Sequence, residues 1–156
     1  MECQSGPIPL AASGAPHSMF RVNTPGRLLL VLLLLSLIGC GNHDKDEINA
    51  LLDARDKAVS THDILAYHTL LLPDYADKAI SEADLIIRMH NLFEQFDTIS
   101  MTSDNRIIRI QDSEHALCEQ NYHLRVESDG TWRQIYQREQ IALTRTAAGW
   151  KISGGL

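Results

Sequence analysis

The apolar positions follow three different patterns along the chain, which divide it into three parts. An unbroken apolar run extends from Leu28 to Cys40. From Ile48 to Phe96 apolar residues recur every three or four positions, which is the period of an amphipathic helix. From Thr98 onward apolar and polar residues alternate, which is the period of a strand with one buried face. These patterns predict helices followed by antiparallel strands.

Three helices are predicted in the helical part. The first begins near Asp46, the second ends before Pro73, and the third is capped by Ser81. A loop from 74 to 80 separates the last two. Their apolar faces carry, in chain order, Ile48, Leu51, Leu52, Ala54, Ala58 and Val59; Ile64, Leu65, His68, Leu71 and Leu72; and Leu85, Ile86, Met89, Leu92, Phe93 and Phe96.

Four strands are predicted in the alternating part. They cover approximately Thr98 to Gln111, Ala116 to Glu127, Trp132 to Arg145 and Trp150 to Ile152. Asp129 and Gly130 supply the positive-φ positions of a tight hairpin turn. In the third strand Trp132 and Tyr136 have the opposite parity to the apolar residues, and a β-bulge would explain the change. The residues of the other parity are Ile135, Glu139, Ile141 and Leu143.

The apolar run before Cys40 is shorter than the roughly 20 residues that a bilayer-spanning helix needs, and it has the length of a signal-peptide core. Its last four residues, Leu37-Ile38-Gly39-Cys40, resemble the lipobox of bacterial lipoproteins. The resemblance implies cleavage before Cys40, a diacylglycerol thioether on its sulfur and acylation of the new amino terminus, as with palmitate. An ordinary secretory signal with an incidental cysteine is the alternative. The residue directly after Cys40 is Gly41 and not an aspartate, which in the lipoproteins it resembles favours the outer membrane, facing the periplasm.

The chain is therefore divided into a signal peptide (1–39), a short lipidated tether (40–45) and one α+β domain (46–156). The first 18 residues contain no Lys or Arg, whereas a signal peptide begins with a short basic region. Met19 opens such a region, with Arg21 and Arg27 ahead of the apolar run. We therefore expect translation to begin at Met19.

The residues after the signal peptide are acidic. Of 14 Lys and Arg and 20 Asp and Glu residues, Arg21, Arg27 and Glu2 precede Cys40, so 12 basic and 19 acidic residues follow, a net charge of about −7. Such a domain lacks the basic surface that binds nucleic acid, and anionic lipid repels it. The membrane is therefore expected to hold it through acyl chains on Cys40. Cys118 has no disulfide partner within the domain and is expected to be buried.

Helices followed by a strand meander indicate an α+β layout with helices over one face of a curved sheet. Three segments resemble the nuclear-transport-factor-2-like, or ketosteroid-isomerase-like (SnoaL-like), superfamily. They are Leu70-Leu71-Leu72-Pro73-Asp74-Tyr75, the alternating segment from Glu139 to Arg145, and Gly149-Trp150-Lys151-Ile152. The resemblance implies a cystatin-like cone with an apolar interior, and often a homodimer through the open sheet face. Members include isomerases and dehydratases as well as proteins that only bind a ligand. A true cystatin-like fold is the alternative.

Glu139 is the candidate general base, because its parity directs it into the cone, where burial would raise the pKa of a carboxyl group. The alternative is that a bulge turns it outward, or that Arg109, Arg125 or Arg138 neutralises it from a neighbouring strand. The other candidate pocket residues are Tyr67, Cys118, Gln120, Tyr122, Tyr136 and Trp150. No carboxylate pair of the isomerase kind is found, and no nucleophile is assigned.

Metal and cofactor binding are not expected, because no histidines have a close ligand spacing and no cofactor motif is present. The sequence favours a lipid-anchored, non-catalytic module that binds a small apolar ligand or serves a partner. The alternative is a small isomerase or dehydratase that uses Glu139 with Tyr122 or Tyr136. A homodimer through the sheet is a third hypothesis, with Leu117 on its outward side.

Overall fold

A computed structural model describes the backbone of residues 40–156 and their side chains from His43 onward. The elements are helix α1 (Cys40–Ser60), helix α2 (Ile64–Leu70), strands β1 (Ala76–Asp77) and β2 (Ile80–Ser81), helix α3 (Glu82–Gln95), and strands β3 (Thr98–Ile110), β4 (His115–Ser128), β5 (Thr131–Thr146) and β6 (Gly149–Gly154). The predicted signal peptide and start residue lie outside this range.

Side-chain caps define two of the helix starts. Asp63 accepts a hydrogen bond from the backbone N–H of Ala66 at the start of α2. Ser81 and Asp84 form a capping box at the start of α3, as the cap prediction at Ser81 requires. Helix α1 begins at Cys40, so the segment 40–45 that we predicted as a tether is helical and extends the amphipathic helix by about two turns.

Helix α2 is shorter than predicted. Leu71 has an extended backbone, with φ −83° and ψ 151°, and forms a parallel bridge with Ile152. The N–H of Leu72 then donates to the carbonyl of Ile152 at 2.8 Å. The helix therefore ends at Leu70, and the next two residues pair with β6. Leu65, which was predicted on the apolar face of this helix, is 76% exposed.

Strands β3 to β6 form one antiparallel meander in sequence order. Asp129 and Gly130 turn the β4–β5 hairpin with φ values of 52° and 73°, as predicted. The β4–β5 register runs without a shift from His115↔Thr144 to Ser128↔Thr131. The bulge that we predicted in β5 is therefore wrong, and Trp132 and Tyr136 lie on the outer face of an unbroken strand.

The bulges lie in the neighbouring strands instead. In β3 the register shifts between Asp104 and Ile107, where Asn105 has a φ of 53°. The extra residue changes the parity of β3, so Arg106 joins the inner face. A second shift occurs between β5 and β6 at Ala142 and Leu143.

The hydrophobic core lies between α1 and the inner face of the sheet. Ile48 and Leu52 of α1 and Ile141 of β5 are fully buried. Helices on one face of a curved antiparallel sheet confirm the predicted α+β class. Among the described residues, no helix is both long and apolar enough to cross a membrane.

Candidate functional site

A buried ion pair joins helix α1 to strand β5. Arg55 Nη1 donates to Glu139 Oε1 at 2.6 Å, and Arg55 Nη2 donates to Glu139 Oε2 at 3.0 Å. The two side chains are 7% and 10% exposed. Because Arg55 occupies the α1 face that carries Ile48 and Leu52, its guanidinium extends over the inner face of the sheet, where Glu139 also points.

The ion pair continues into a polar network across the sheet. Gln120 on β4 lies opposite Glu139, and its Nε2 donates to Glu139 Oε1 at 2.7 Å. Gln120 Oε1 accepts from Arg106 Nε at 2.9 Å. Arg106 Nη1 donates to Asp53 at 2.6 Å, and Ser103 donates to Asp56 at 3.0 Å. The β3 bulge thus supplies the cation that satisfies Gln120 and ties the sheet to α1.

Burial and charge act in opposite directions within this network. Burial by itself lowers the pKa of Arg55, but the hydrogen bonds and the charge of Glu139 outweigh it, so the pKa is raised. Burial raises the pKa of Asp56, although Ser103 and the arginines oppose the shift. Burial raises the pKa of Tyr67 to about 12. Arg55 and Tyr67 therefore keep their protons at neutral pH. The guanidinium of Arg55 can only donate hydrogen bonds, whereas the hydroxyl of Tyr67 can donate or accept.

Arg55 also lines a cavity of about 190 Å³ between the helices and the sheet, which we name the inner cavity. It lies beside the Arg55–Glu139 pair and is mostly apolar, with three polar side chains. Its lining is Arg55, Val59, Tyr67, Met89, Leu92, Met101, Tyr122 and Leu124. Apolar walls with a few polar groups are typical of a small-molecule site.

A larger cavity of about 360 Å³, the edge cavity, lies on the other side of Tyr122. Glu139 and Tyr122 line it together with Gln137 and Arg138 of β5, the β1–β2 hairpin and the last two residues of the chain. Tyr122 donates from its hydroxyl to Gln137 at 2.7 Å. A third cavity of about 230 Å³ lies at the β3 bulge beside Gln120. The Arg55–Glu139 pair therefore stands between the inner and edge cavities.

The structure brings some of the predicted pocket residues together. Tyr67 and Tyr122 line the inner cavity, and Glu139 lies on the predicted inward face, next to Gln120. Cys118 is fully buried, as expected, and burial raises its pKa to about 11. It lines none of these three cavities.

Two predicted pocket residues lie elsewhere. Tyr136 is 62% exposed and sits on the outer face beside His123, because its parity is opposite to that of Glu139. Trp150 is buried in the core beneath the guanidinium of Arg145 and lines none of these three cavities. Tyr136 as a catalytic partner of Glu139 is therefore wrong.

The residue that neutralises Glu139 is also different from those predicted. Arg109 and Arg138 both pair with Glu119 on the outer face. Arg125 lies over the ring of Trp132 at 4.8 Å. The cation comes from helix α1 instead. One signal in the sequence could have found it, because Arg55 continues the stripe Ile48, Leu52, Val59 at helical spacing.

In the part of the chain that the structure describes, no group of three or more His, Cys, Asp or Glu side chains is arranged to hold a metal ion. Of the lipobox, residues 37–39 lie outside that part, and Cys40 is described only by its backbone.

Sequence comparisons identify no relatives. No protein-family profile matches the chain, and no curated protein sequence matches it.

Solved structures do resemble it. A proposed aromatic ring hydroxylase from Novosphingobium aromaticivorans is 20% identical with a TM-score of 0.68, over 74% of this chain and 88% of that one. A proposed dehydratase of the nuclear-transport-factor-2-like family from Streptomyces avermitilis is 12% identical with a TM-score of 0.64, over 73% and 94%. A nuclear-transport-factor-2-like superfamily protein from Salmonella enterica is 14% identical with a TM-score of 0.65, over 73% and 89%.

The described domain therefore has the nuclear-transport-factor-2-like cone fold. At these identities the similarity shows the fold alone, and a fold by itself does not determine a function. What this chain does has to be inferred from its own cavity and its own ion pair.

Proposed function

We propose that this domain is a non-catalytic binding or accessory module, held at a bacterial membrane by lipid on Cys40. The observation that supports the first part is the state of Glu139. Both of its carboxylate oxygens accept from Arg55, and one also accepts from Gln120.

A general base needs an oxygen lone pair within reach of the proton that it removes. In this site the strongest acceptor positions of Glu139 are already filled by charged and amide donors. Freeing the carboxylate would leave Arg55 as an unpaired buried cation, which costs about 3–5 kcal/mol when a partner is lost. The ion pair therefore serves as a fixed polar wall between two cavities.

The inner cavity supplies the binding site of this proposal. Five of its eight lining residues are apolar, namely Val59, Met89, Leu92, Met101 and Leu124. Its volume of about 190 Å³ is below the roughly 300–1,000 Å³ of sites for drug-sized molecules. The ligand class is therefore small and largely apolar.

The membrane part of the proposal rests on the lipobox-like segment Leu37-Ile38-Gly39-Cys40. Two or more acyl chains anchor a protein stably, whereas one chain does so only marginally. The acidic domain would remain on the periplasmic side, with the absence of an aspartate after Cys40 favouring the outer membrane.

Complementation with Glu139→Gln tests the non-catalytic role. In a host lacking the gene, we expect Glu139→Gln to restore every phenotype once its cellular amount matches that of the unchanged protein. A matched variant, Leu124→Trp, fills the inner cavity without touching the ion pair and is expected to fail. If Glu139→Gln is folded and present but behaves like the deletion, the enzyme alternative with Tyr122 is correct instead.

Fractionation tests the anchor. The unchanged chain should incorporate labelled palmitate and sediment with outer membranes, and Cys40→Ala should do neither. Equal membrane association of both forms would contradict lipidation at Cys40.

A further inference from the structure

One edge of the main sheet is open along most of strand β5. Strand β6 pairs only with residues 142–146 of β5. At Gly155, which has a φ of 91°, the chain turns, and the backbone N–H of Leu156 donates to the hydroxyl of Tyr75 at 3.0 Å. Among the described residues, no strand therefore lies beside residues 132–138, an edge about 20 Å long.

The hydrogen bonds to β4 show which backbone groups of β5 are free. Arg145 donates its N–H to the carbonyl of Glu114 on the β4 side, at 2.7 Å. Residues two apart in a strand direct their backbone groups the same way, and the β4–β5 register has no shift. The odd-numbered residues of β5 therefore bond to β4, whereas the even-numbered residues direct N–H and C=O groups to the open edge. These four residues are Trp132, Gln134, Tyr136 and Arg138.

The open edge of β5 is not blocked against a further strand. Strand β3, at the opposite edge of the sheet, is interrupted by its bulge, which is one way in which proteins protect an edge. In β5 the residues 131–138 are all exposed and include neither a bulge nor a proline. Trp132 and Tyr136 are exposed on one face of the strand and Ile135 on the other. Free backbone groups between such side chains are what a strand-addition site presents to an extended segment.

The charges along this edge determine which segment fits. Residues 131–138 include Arg133 and Arg138 but no acidic residue. Arg138 shares the carboxylate of Glu119 with Arg109, so two cations meet one anion there. Among the described residues, no carboxylate pairs with Arg133. The edge is therefore positive within an acidic domain, and an acidic segment complements it.

A second copy of the same edge fits less well. Because residues 131–138 contain no acid, no register between two such segments sets a carboxylate opposite Arg133 or Arg138. Like charges that face each other across a strand pair are destabilising. The acids of the hairpin, Glu127 and Asp129, lie at its turn, so the complementary region begins beyond them, at Arg133.

We propose that residues 132–138 of β5 take an extended, acidic segment of another protein as an additional strand of the sheet. Backbone hydrogen bonds to the four even-numbered residues hold the segment, and its carboxylates face Arg133 and Arg138. This site is separate from the inner cavity, so failure of this inference leaves the proposed binding function standing.

Amide hydrogen exchange provides the test. The full chain, labelled with ¹⁵N and kept in a non-ionic detergent, is titrated with a blocked seven-residue peptide in which glutamate alternates with valine. At about 90% occupancy we expect the four even-numbered amides to exchange about tenfold more slowly, because only the unoccupied tenth stays open. The odd-numbered amides between them, which already bond to β4, should change by less than about twofold.

Two control peptides separate backbone pairing from charge. The same peptide methylated on every backbone nitrogen keeps its side chains but has no N–H to donate, and it should protect none of the four amides. The same peptide with lysine in place of glutamate should bind about tenfold more weakly, because it sets like charges opposite the arginines. Both comparisons use the unchanged chain and do not depend on the folding of a variant.

Substitutions on the edge provide matched pairs. Gln134→Pro removes one outward N–H without removing a bond to β4 and should abolish protection by the glutamate peptide, whereas Gln134→Ala keeps that N–H and should bind as before. Arg133→Glu should favour the lysine peptide over the glutamate peptide. Retained protection of the odd-numbered amides shows that each variant is folded.

Three results would overturn the inference. The first is equal protection by the glutamate and lysine peptides, or equal effects on even-numbered and odd-numbered amides. The second is no protection by any peptide at millimolar concentration. The third is slow exchange of the four amides in the free chain together with a dimer in sedimentation, because a second copy would then occupy the edge.

Discussion

Arg55 and Glu139, which are 84 residues apart in the chain, form a two-pronged hydrogen-bonded ion pair with N–O distances of 2.6 and 3.0 Å. The pair connects the first helix of the domain to the third strand of its main sheet. The one carboxylate that sequence parity directed into the cone is thus held by a helix cation. The pair therefore belongs to the wall of the cavity, and its integrity is measurable as stability.

Replacing one residue of this pair should lower the stability of the domain more than replacing both. Arg55→Met leaves Glu139 buried without its cation, and we expect the free energy of unfolding to fall by about 3 kcal/mol. The double variant Arg55→Met with Glu139→Leu replaces the pair by apolar groups and should recover at least about 1 kcal/mol of that loss. Urea denaturation measures both. Additive losses in the double variant would show that the pair is not coupled.

The β3 bulge depends on the backbone of Asn105. This exposed residue has a φ of 53°, a conformation that a β-branched side chain tolerates poorly. Asn105→Val should destabilise the domain by about 1–2 kcal/mol, because the bulge would have to relax and withdraw Arg106 from Gln120. Asn105→Gly is the control and should change the stability by less than about 0.5 kcal/mol. Equal stabilities of the two variants in urea would contradict the bulge.

Gly155 packs against the backbone of β5 at the edge cavity. A Cβ there would lie 2.0 Å from the carbonyl oxygen of Gln140, whereas a Cβ at Gly149 would meet nothing within 4 Å. Both glycines have positive φ, 91° and 100°, so alanine strains the backbone at either position. Gly155→Ala should therefore lower the thermal midpoint clearly more than Gly149→Ala does. A smaller effect at Gly155 would show that the last residues do not pack against β5.

Tyr67 makes the stability of the domain change with pH in the alkaline range. Burial raises its pKa from 10.0 to about 12, so the folded state keeps a proton that the unfolded state loses first. The stability that this pKa shift contributes is fully present below pH 10 and is lost as the pH rises through about 12. The shift corresponds to about 3 kcal/mol. Compared with Tyr67→Phe, the unchanged protein should lose stability over this interval and follow a parallel course at lower pH. Parallel curves up to pH 12 would contradict the burial of the hydroxyl.

Periodicity predicted most of the fold because the buried faces are continuous. The four strands of the main sheet, the Asp129–Gly130 turn and the Ser81 cap follow from local patterns. The end of helix α2 and the position of the bulge did not follow from local patterns. The helix ends early because Leu71 pairs with the distant residue Ile152. Periodicity predicts a bulge in β5, but Trp132 and Tyr136 lie on the outer face of that unbroken strand, and the extra residue is in β3 beside Asn105.

The candidate site was predicted only in part, for a related reason. Strand parity placed Glu139 and Tyr122 correctly on the inner face, but it cannot say which distant side chain meets them. Neighbouring-strand arginines were the local candidates for neutralising Glu139, yet Arg109 and Arg138 serve Glu119 instead. Arg55 was recognisable only as a cation within an apolar helix stripe, and that signal says nothing about its partner.

Native mass spectrometry of the full chain, purified from the membranes of its own host, tests the binding function most directly. We predict a reproducible additional mass, equal to a small and largely apolar molecule, that disappears when the protein is denatured and is absent from Leu124→Trp. The bare mass of the processed polypeptide in every preparation, with Leu124→Trp still functional in the host, would contradict a ligand in the inner cavity.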